Sequence, residues 1–270
     1  MPNLKINDVP VTVESGTLLL DACRQAGFEI PHYCYHPALT AVATCRMCMV
    51  EIKGQPKLAT SCTTLAAEGM EVSTQAPAVA DARAAVMEFL LLNHPLDCPI
   101  CDQAGECRLQ DYSYQYGSGD SRMEEPKRRY RYEELGAKVV LDKNRCIHCT
   151  RCVRFTQEIT KTCELTMVER GARLEVTTFE GLTLDANPLA GNVVDLCPVG
   201  ALTSRDFRFA KRAWYLKPVP TISRHSAMAS PLWADVDENR VWRFRPRPLE
   251  RKRATHFLFD EERRAHARYN

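Results

Sequence analysis

Thirteen cysteines in 270 residues dominate what this chain can do chemically. Eleven of them fall into three groups. The first is Cys34, Cys45, Cys48 and Cys62, spaced C-x10-C-x2-C-x13-C. A C-x2-C pair such as Cys45–Cys48 lets two thiolates converge on one metal centre while the backbone turns around it. With Cys34 and Cys62 flanking it, the pattern suits a [2Fe–2S] cluster held in a loop of a small sheet domain, although the spacing is longer than the plant-type run. A structural zinc site with four thiolates is the alternative on spacing alone.

The second group is His94, Cys98, Cys101 and Cys107, an H-x3-C-x2-C-x5-C run. Three thiolates and one imidazole suit zinc or an iron–sulfur cluster with one histidine ligand. A neutral imidazole in place of a thiolate removes one negative charge, which by itself raises a cluster's reduction potential. The third group is Cys146-x2-Cys149-x2-Cys152, with Cys197-Pro198 45 residues further on. A triplet followed by a remote Cys-Pro is the bacterial ferredoxin pattern for [4Fe–4S]. A two-cluster ferredoxin carries a further cysteine after the first triplet and a second triplet before the remote cysteine. Here Thr156 takes the first of those places, and Asn187, Ala190 and Val193 take the others. One cluster is therefore expected in a shape built for two. Cys23 and Cys163 are left over and read as plain buried residues.

The N-terminal residues lack the basic-then-apolar layout of a secretory signal, which points to a reducing, cytoplasmic compartment. Reduced cysteines in clusters read as metal ligands rather than as a disulfide framework. No apolar run reaches the ~18–20 residues of a membrane span. The formal net charge is +2, but residues 211–270 hold 14 Lys+Arg against 7 Asp+Glu, so a basic tail follows an acidic body. Such a tail reads either as a docking surface for an acidic partner or as a solvated face. No G-x-G-x-x-G follows a strand, and neither G-x-S-x-G nor H-E-x-x-H occurs, so no site for substrate conversion is expected.

The elements that must position these groups follow from periodicity and turn residues. Leu4–Ile6 and Val11–Val13 read as a hairpin, and Ser15 as the cap of a helix that Gly27 ends. Strands are expected at Met49–Ile52, Lys57–Thr60 and Met70–Ser73. Pro77 opens a helix through Leu92, with Val79, Ala82, Val86, Phe89 and Leu90 on one face. His94-Pro95 stops it. A further helix is expected over 105–116 and a loop over 117–125. Beyond it, strands are expected at Val139–Leu141, Leu165–Val168, Leu174–Thr178 and Arg240–Phe244, and helices over Thr150–Ile159 and Asn192–Leu196. The fold class is α+β.

The order of these modules resembles the large peripheral-arm iron–sulfur subunit (the G subunit) of respiratory complex I, the NADH–quinone oxidoreductase. The matching strings are Leu92-Asn93-His94-Pro95-Leu96-Asp97-Cys98-Pro99, Gly105-Glu106-Cys107, Arg145-Cys146-Ile147-His148-Cys149 and the run from Gly191 to Leu202 through Asp195-Leu196-Cys197-Pro198. The resemblance covers roughly residues 1–220. It implies a β-grasp [2Fe–2S] ferredoxin domain over 1–76, a helical one-His/three-Cys [4Fe–4S] segment over 77–126 with His94 as a true ligand, and a single-cluster ferredoxin-like [4Fe–4S] domain over 127–210. Residues 211–270 are left as a cluster-less remnant and basic tail. The family continues into a large molybdopterin-oxidoreductase-like domain, whereas this chain stops at 270, so a short form is expected. Some members carry a further C-x2-C-x3-C cluster motif. The corresponding places here read Ser223, Ser226 and Ser230, with Phe259 in the fourth, so an empty scaffold is expected.

The resemblance implies one [2Fe–2S] and two [4Fe–4S] clusters relaying single electrons from a flavin-bearing NADH-oxidising subunit towards quinone. It further implies partners among other iron–sulfur subunits, no nucleic acid, and a place on the cytoplasmic face of the inner membrane, reached only through the complex. The same relay inside a soluble NAD-linked hydrogenase or formate dehydrogenase is the alternative, and a zinc scaffold without redox chemistry is a third reading. Arg46 and Arg145, next to ligand positions, read either as stabilisers of a reduced cluster or as surface arginines.

Overall fold

The computed structural model describes residues 1–130, 132–225, 227–248 and 257–269, with the backbone alone at 172 and 269. The chain divides into two compact units. The first comprises residues 1–36, 40–92 and 111–126, and the second comprises 37–39, 93–110 and 127–270.

In the first unit, β1 (Asn3–Ile6) and β2 (Val9–Thr12) form an antiparallel hairpin, and α1 (Leu19–Gln25) follows. Asn7 and Asp8 both take positive φ at its turn, as tight hairpins require. Next come β3 (Met49–Ile52), β4 (Ala59–Thr60) and β5 (Glu71–Ser73), giving a five-stranded sheet in the order β2-β1-β5-β3-β4. The β1–β5 pair is parallel and the others are antiparallel. Strict alternation turns Leu4 and Ile6 of β1 and Val50 and Ile52 of β3 inward, against Leu19, Leu20 and Ala22 of α1. Ser15 makes no cap. α1 starts at Leu19, after an extended Leu18 with no side-chain cap.

α2 (Pro77–Leu91) begins with proline at its first turn, where the missing N–H costs nothing. Its inward stripe is Val79, Arg83 and Met87, spaced by four, whereas Phe89 is exposed. The expected stripe is thus rotated. The Arg83 guanidinium reaches inward to donate to the Met49 carbonyl at 3.3 Å and lies 5.4 Å from the centre of the Tyr116 ring. α3 (Arg108–Tyr116) starts three residues later than expected, and its residues 111–116 belong to this unit.

The second unit holds three small sheets. β6 (Tyr132–Glu134), β7 (Val139–Asp142) and β10 (Leu202–Ser204) form an antiparallel sheet around a fully buried β7. α4 (Arg151–Arg154) runs directly into a π-helical turn at Phe155–Ile159, and β8 (Leu165–Val168) with β9 (Glu175–Thr178) makes a hairpin. α5 (Asn192–Leu196) precedes β10. The remaining strands, β11 (Lys217–Ile222), β12 (Pro231–Asp237) and β13 (Arg240–Pro246), form an antiparallel sheet on which α6 (Asp260–Arg264) packs. Its core is Leu232, Ala234, Phe244, Leu258 and Ala265. Only β13 of this sheet was expected. No helix among the described residues is long and apolar enough to cross a membrane.

Candidate metal centres

In the first unit, Cys34, Cys45 and Cys48 lie on a loop without regular structure between α1 and β3, and Cys62 lies just after β4. Arg46, inside the C-x2-C pair, takes φ +58°, which tightens the turn and points its own side chain to solvent. The two halves of the site are tied by Ser61, whose N–H and Oγ both donate to the Cys48 carbonyl, at 3.2 and 2.8 Å. All four thiols are buried. They touch one another: hydrogen bonds from Cys45 and Cys62 hold the Cys34 thiol far below its ordinary value, and a bond from Cys62 brings Cys48 down to about 7. Cys45 and Cys62 are correspondingly pushed up, chiefly by those same contacts with Cys34. Four buried thiols in mutual contact are a donor set that fits a metal centre, whose binding would displace their protons to solvent. Tyr33 N–H donates to Cys45 Sγ at 3.5 Å, an N–H···S bond of the kind that tunes a cluster.

In the second unit, Cys98, Cys101 and Cys107 are close enough for their charges to interact. Burial pushes Cys101 up, and Cys107 up to about 11. Burial, followed by the positive charge of Arg145, pushes the His94 imidazole down to about 4, so it is neutral at physiological pH. Its Nδ1 is buried without a hydrogen-bond partner. A neutral imidazole with an unsatisfied buried nitrogen fits a ligand and is costly otherwise.

The third group closes around the end of β7. His148 and Thr150, on either side of Cys149, take φ +54° and +62°, which coils the triplet so that its thiols converge. Arg151 Nη1 donates to the Leu196 carbonyl at 3.2 Å, joining the triplet to the residue before Cys197. Cys146, Cys149, Cys152 and Cys197 line one cavity with Leu141, Val176 and Leu202 among its apolar walls. Burial pushes Cys146 and Cys152 well up and Cys197 up to about 12. Such a hollow suits four thiolates around a group with some bulk, and its apolar lining favours low solvent access.

The structure brings together the four cysteines of the first set and the four of the third, and sets Cys98, Cys101 and Cys107 near one another, with His94 beside Arg145 and Asp97. Among the described residues, no three His, Cys, Asp or Glu side chains form a group fit for a single metal ion. The second ferredoxin position is filled: Thr156, Asn187, Ala190 and Val193 are all buried, and Asn187 Nδ2 donates to the Thr160 and Thr162 hydroxyls at 3.3 and 3.2 Å. Two expectations need correction. Cys163 is exposed, on a residue with φ +54°. Arg145 is buried, not a surface arginine: its guanidinium meets both Asp97 oxygens and lies 2.7 Å from Asp142 Oδ2. Sequence reasoning overlooked both of these carboxylates, although Asp97 stands next to Cys98.

In the third sheet, Ser223 and Ser230 are buried and joined by an N–H···O=C bond of 2.8 Å, while Phe259 is exposed at the start of α6. Ser226 lies outside the described residues.

Three family profiles match the chain: a 2Fe-2S iron-sulfur cluster binding domain over residues 2–77, an NADH-ubiquinone oxidoreductase-G iron-sulfur binding region over 83–122, and the ferredoxin-like domain of NADH-quinone oxidoreductase subunit 3 over 136–203. The G subunit of the NADH-quinone oxidoreductase of Rickettsia conorii is 44% identical over 250 residues, 93% of this chain and 37% of the relative. The NADH-ubiquinone oxidoreductase 75 kDa subunit of Reclinomonas americana is 44% identical over 247 residues, 92% of this chain and 36% of the relative. The chain therefore spans little more than a third of these curated relatives. A crystal structure of an NAD+-reducing [NiFe]-hydrogenase superposes with a TM-score of 0.70 at 28% identity, covering 78% of this chain and 90% of that one. Over the residues it spans, the chain belongs to the family of G (75 kDa) iron–sulfur subunits of NADH–quinone oxidoreductase.

Proposed function

We propose that this chain is an electron-relay subunit holding three iron–sulfur clusters: a [2Fe–2S] cluster on Cys34, Cys45, Cys48 and Cys62, a [4Fe–4S] cluster on His94, Cys98, Cys101 and Cys107, and a [4Fe–4S] cluster on Cys146, Cys149, Cys152 and Cys197. The ligand sets divide into a [2Fe–2S] domain over 1–76, a helical segment over 77–126 and a ferredoxin-like domain over 127–210. Bound there, the clusters supply one-electron chemistry, carrying electrons from a flavin-containing NADH-oxidising subunit towards quinone in a peripheral position on the cytoplasmic face of the inner membrane. The protein's own part is to bury the thiolates, keep His94 neutral and fix charges beside them. The observations that carry the reading are the touching, buried thiols of the first set, the single cavity lined by Cys146, Cys149, Cys152 and Cys197, and the unsatisfied buried Nδ1 of His94.

Anaerobically purified protein should be brown and contain about ten irons and matching acid-labile sulfide per chain, with three distinct EPR signals on reduction. A colourless protein with about three zinc ions and no sulfide would overturn the reading. The likeness to the NAD+-reducing hydrogenase supports a second reading, the same relay in a soluble hydrogenase. Co-purifying membrane subunits favour the first, a nickel-bearing subunit the second.

A further inference from the structure

We infer that the segment from Phe209 to Arg245 is a brace that positions the loop carrying Cys98, Cys101 and Cys107. This rests on the reading of that loop as cluster-bearing and assigns positioning residues to it. The loop has little structure of its own: one three-residue turn at Cys98–Ile100 and a few local backbone bonds, such as Cys101 N–H to the Cys98 carbonyl. Its shape must therefore be imposed from outside.

The imposing contacts come from residues that carry no cysteine. Arg212 donates through Nη1 to the Cys101 carbonyl at 2.7 Å and through Nη2 to the Pro99 carbonyl at 2.5 Å. The Phe209 N–H donates to Asp102 Oδ1 at 2.7 Å. Trp214 packs so closely on Gly105, at φ +86°, that a Cβ there would lie 2.8 Å from its ring. At the far end of the loop, Arg243 of β13 grips both oxygens of Glu106, the residue before Cys107, at 2.8 and 2.6 Å. Arg243 is itself aimed by Asp235 of β12, 1% exposed, which it shares with Arg245. Asp235 sits at a shift in the β12–β13 register, the kind of irregularity that re-aims side chains.

A planar guanidinium on two carbonyls, and a two-point arginine–carboxylate pair, fix direction as well as distance. The brace thus holds the loop at its Cys98–Cys101 turn, at its middle and at its exit. It also gives a role to a sheet that keeps serines at 223 and 230 where a cluster motif would have cysteines.

The test is made on the full chain purified anaerobically, with Arg212→Gln, Arg243→Gln and, from the other side of the pair, Glu106→Gln. Iron, acid-labile sulfide, EPR and the midpoint potential of each signal are measured. Each variant should lose about four of about ten irons, or keep them with an altered signal and potential at the His94 centre alone. The other two signals should keep wild-type intensity and potential. Arg243→Lys should recover part of the affected signal. The inference is overturned if all three signals stay at wild-type position and intensity, or if all three fall together in all three variants. Wild-type protein lacking the His94-centre signal would instead overturn the functional reading beneath it.

Discussion

Arg145, which precedes Cys146, holds Asp97, which precedes Cys98, in a two-point guanidinium–carboxylate pair. Asp142 completes the group from β7 at 2.7 Å, and its side chain is as fully buried as that of Arg145. One fixed positive charge therefore stands next in sequence to Cys146 and is paired with the residue next to Cys98, so it bears on both candidate centres in this unit. Burial works against that charge, but Asp97, Cys101 and Asp142 outweigh it and hold the guanidinium above its ordinary range.

Arg145→Gln should make both centres harder to reduce, because reduction adds negative charge beside two carboxylates that have lost their counter-charge. Midpoint potentials from EPR titration should fall by roughly 30–60 mV, where 59 mV is a tenfold change for one electron. Removing one partner of the buried Arg145–Asp142 pair should also cost about 3–5 kcal/mol. Unchanged potentials in a folded, fully loaded variant would refute the electrostatic role.

His94→Cys should leave the centre assembled with one more negative charge. Its potential should drop on the order of 100 mV, with the other two signals unmoved. His94→Ala should perturb that one signal only. A change spread over all three would mean that His94 acts on the fold rather than on one centre.

Gly200→Ala tests how closely the two groups in the second unit are packed. A Cβ there would meet Cys101 Sγ at 2.5 Å and Gln103 Cβ at 3.1 Å. Overpacking costs typically 1–3 kcal/mol. Cys101 belongs to the His94 group, so iron content and EPR should show a defect there while the adjacent Cys197 centre stays loaded.

Asp235→Asn should destabilise the C-terminal sheet in a pH-dependent way. Burial raises the Asp235 carboxyl, but Arg245 and Arg243 outweigh it, leaving the group below its ordinary value. A folded value below the unfolded one of about 4 gives stability that is present above pH 4 and lost as pH falls through the folded value. The variant should be about 3 kcal/mol less stable at pH 7, and the gap in melting midpoint should close below pH 4. A gap that is the same at pH 7 and pH 3 would assign the effect to packing.

The three cysteine-rich sets are legible because a metal centre constrains residue type and spacing in the chain itself, and three family profiles of iron–sulfur domains match where they lie. The first-unit strands were legible from alternation at Leu4, Ile6, Val50 and Ile52. What stayed hidden depends on which way a side chain turns in three dimensions. α2 has the helical period, but a charged residue such as Arg83 carries no core signal in a sequence, so the apolar stripe ending at Phe89 and Leu90 is rotated from the buried one. β11 reads as Pro-interrupted, with Pro218 and Pro220, and so carries no strand signal, yet it pairs with β12 along its whole length. Arg145 and Asp97 are 48 residues apart, and no local pattern announces that they meet.

Thr156 and Asn187 give the last consequence. Where a two-cluster ferredoxin would have a second hollow, this domain has interlocked hydroxyls and an amide, with no side chain of the four more than fractionally accessible. Four cysteines placed at those positions would find no room prepared for them. The domain thus offers a single hollow, at the Cys146 triplet and Cys197, and a packed wall on the side where a second would lie.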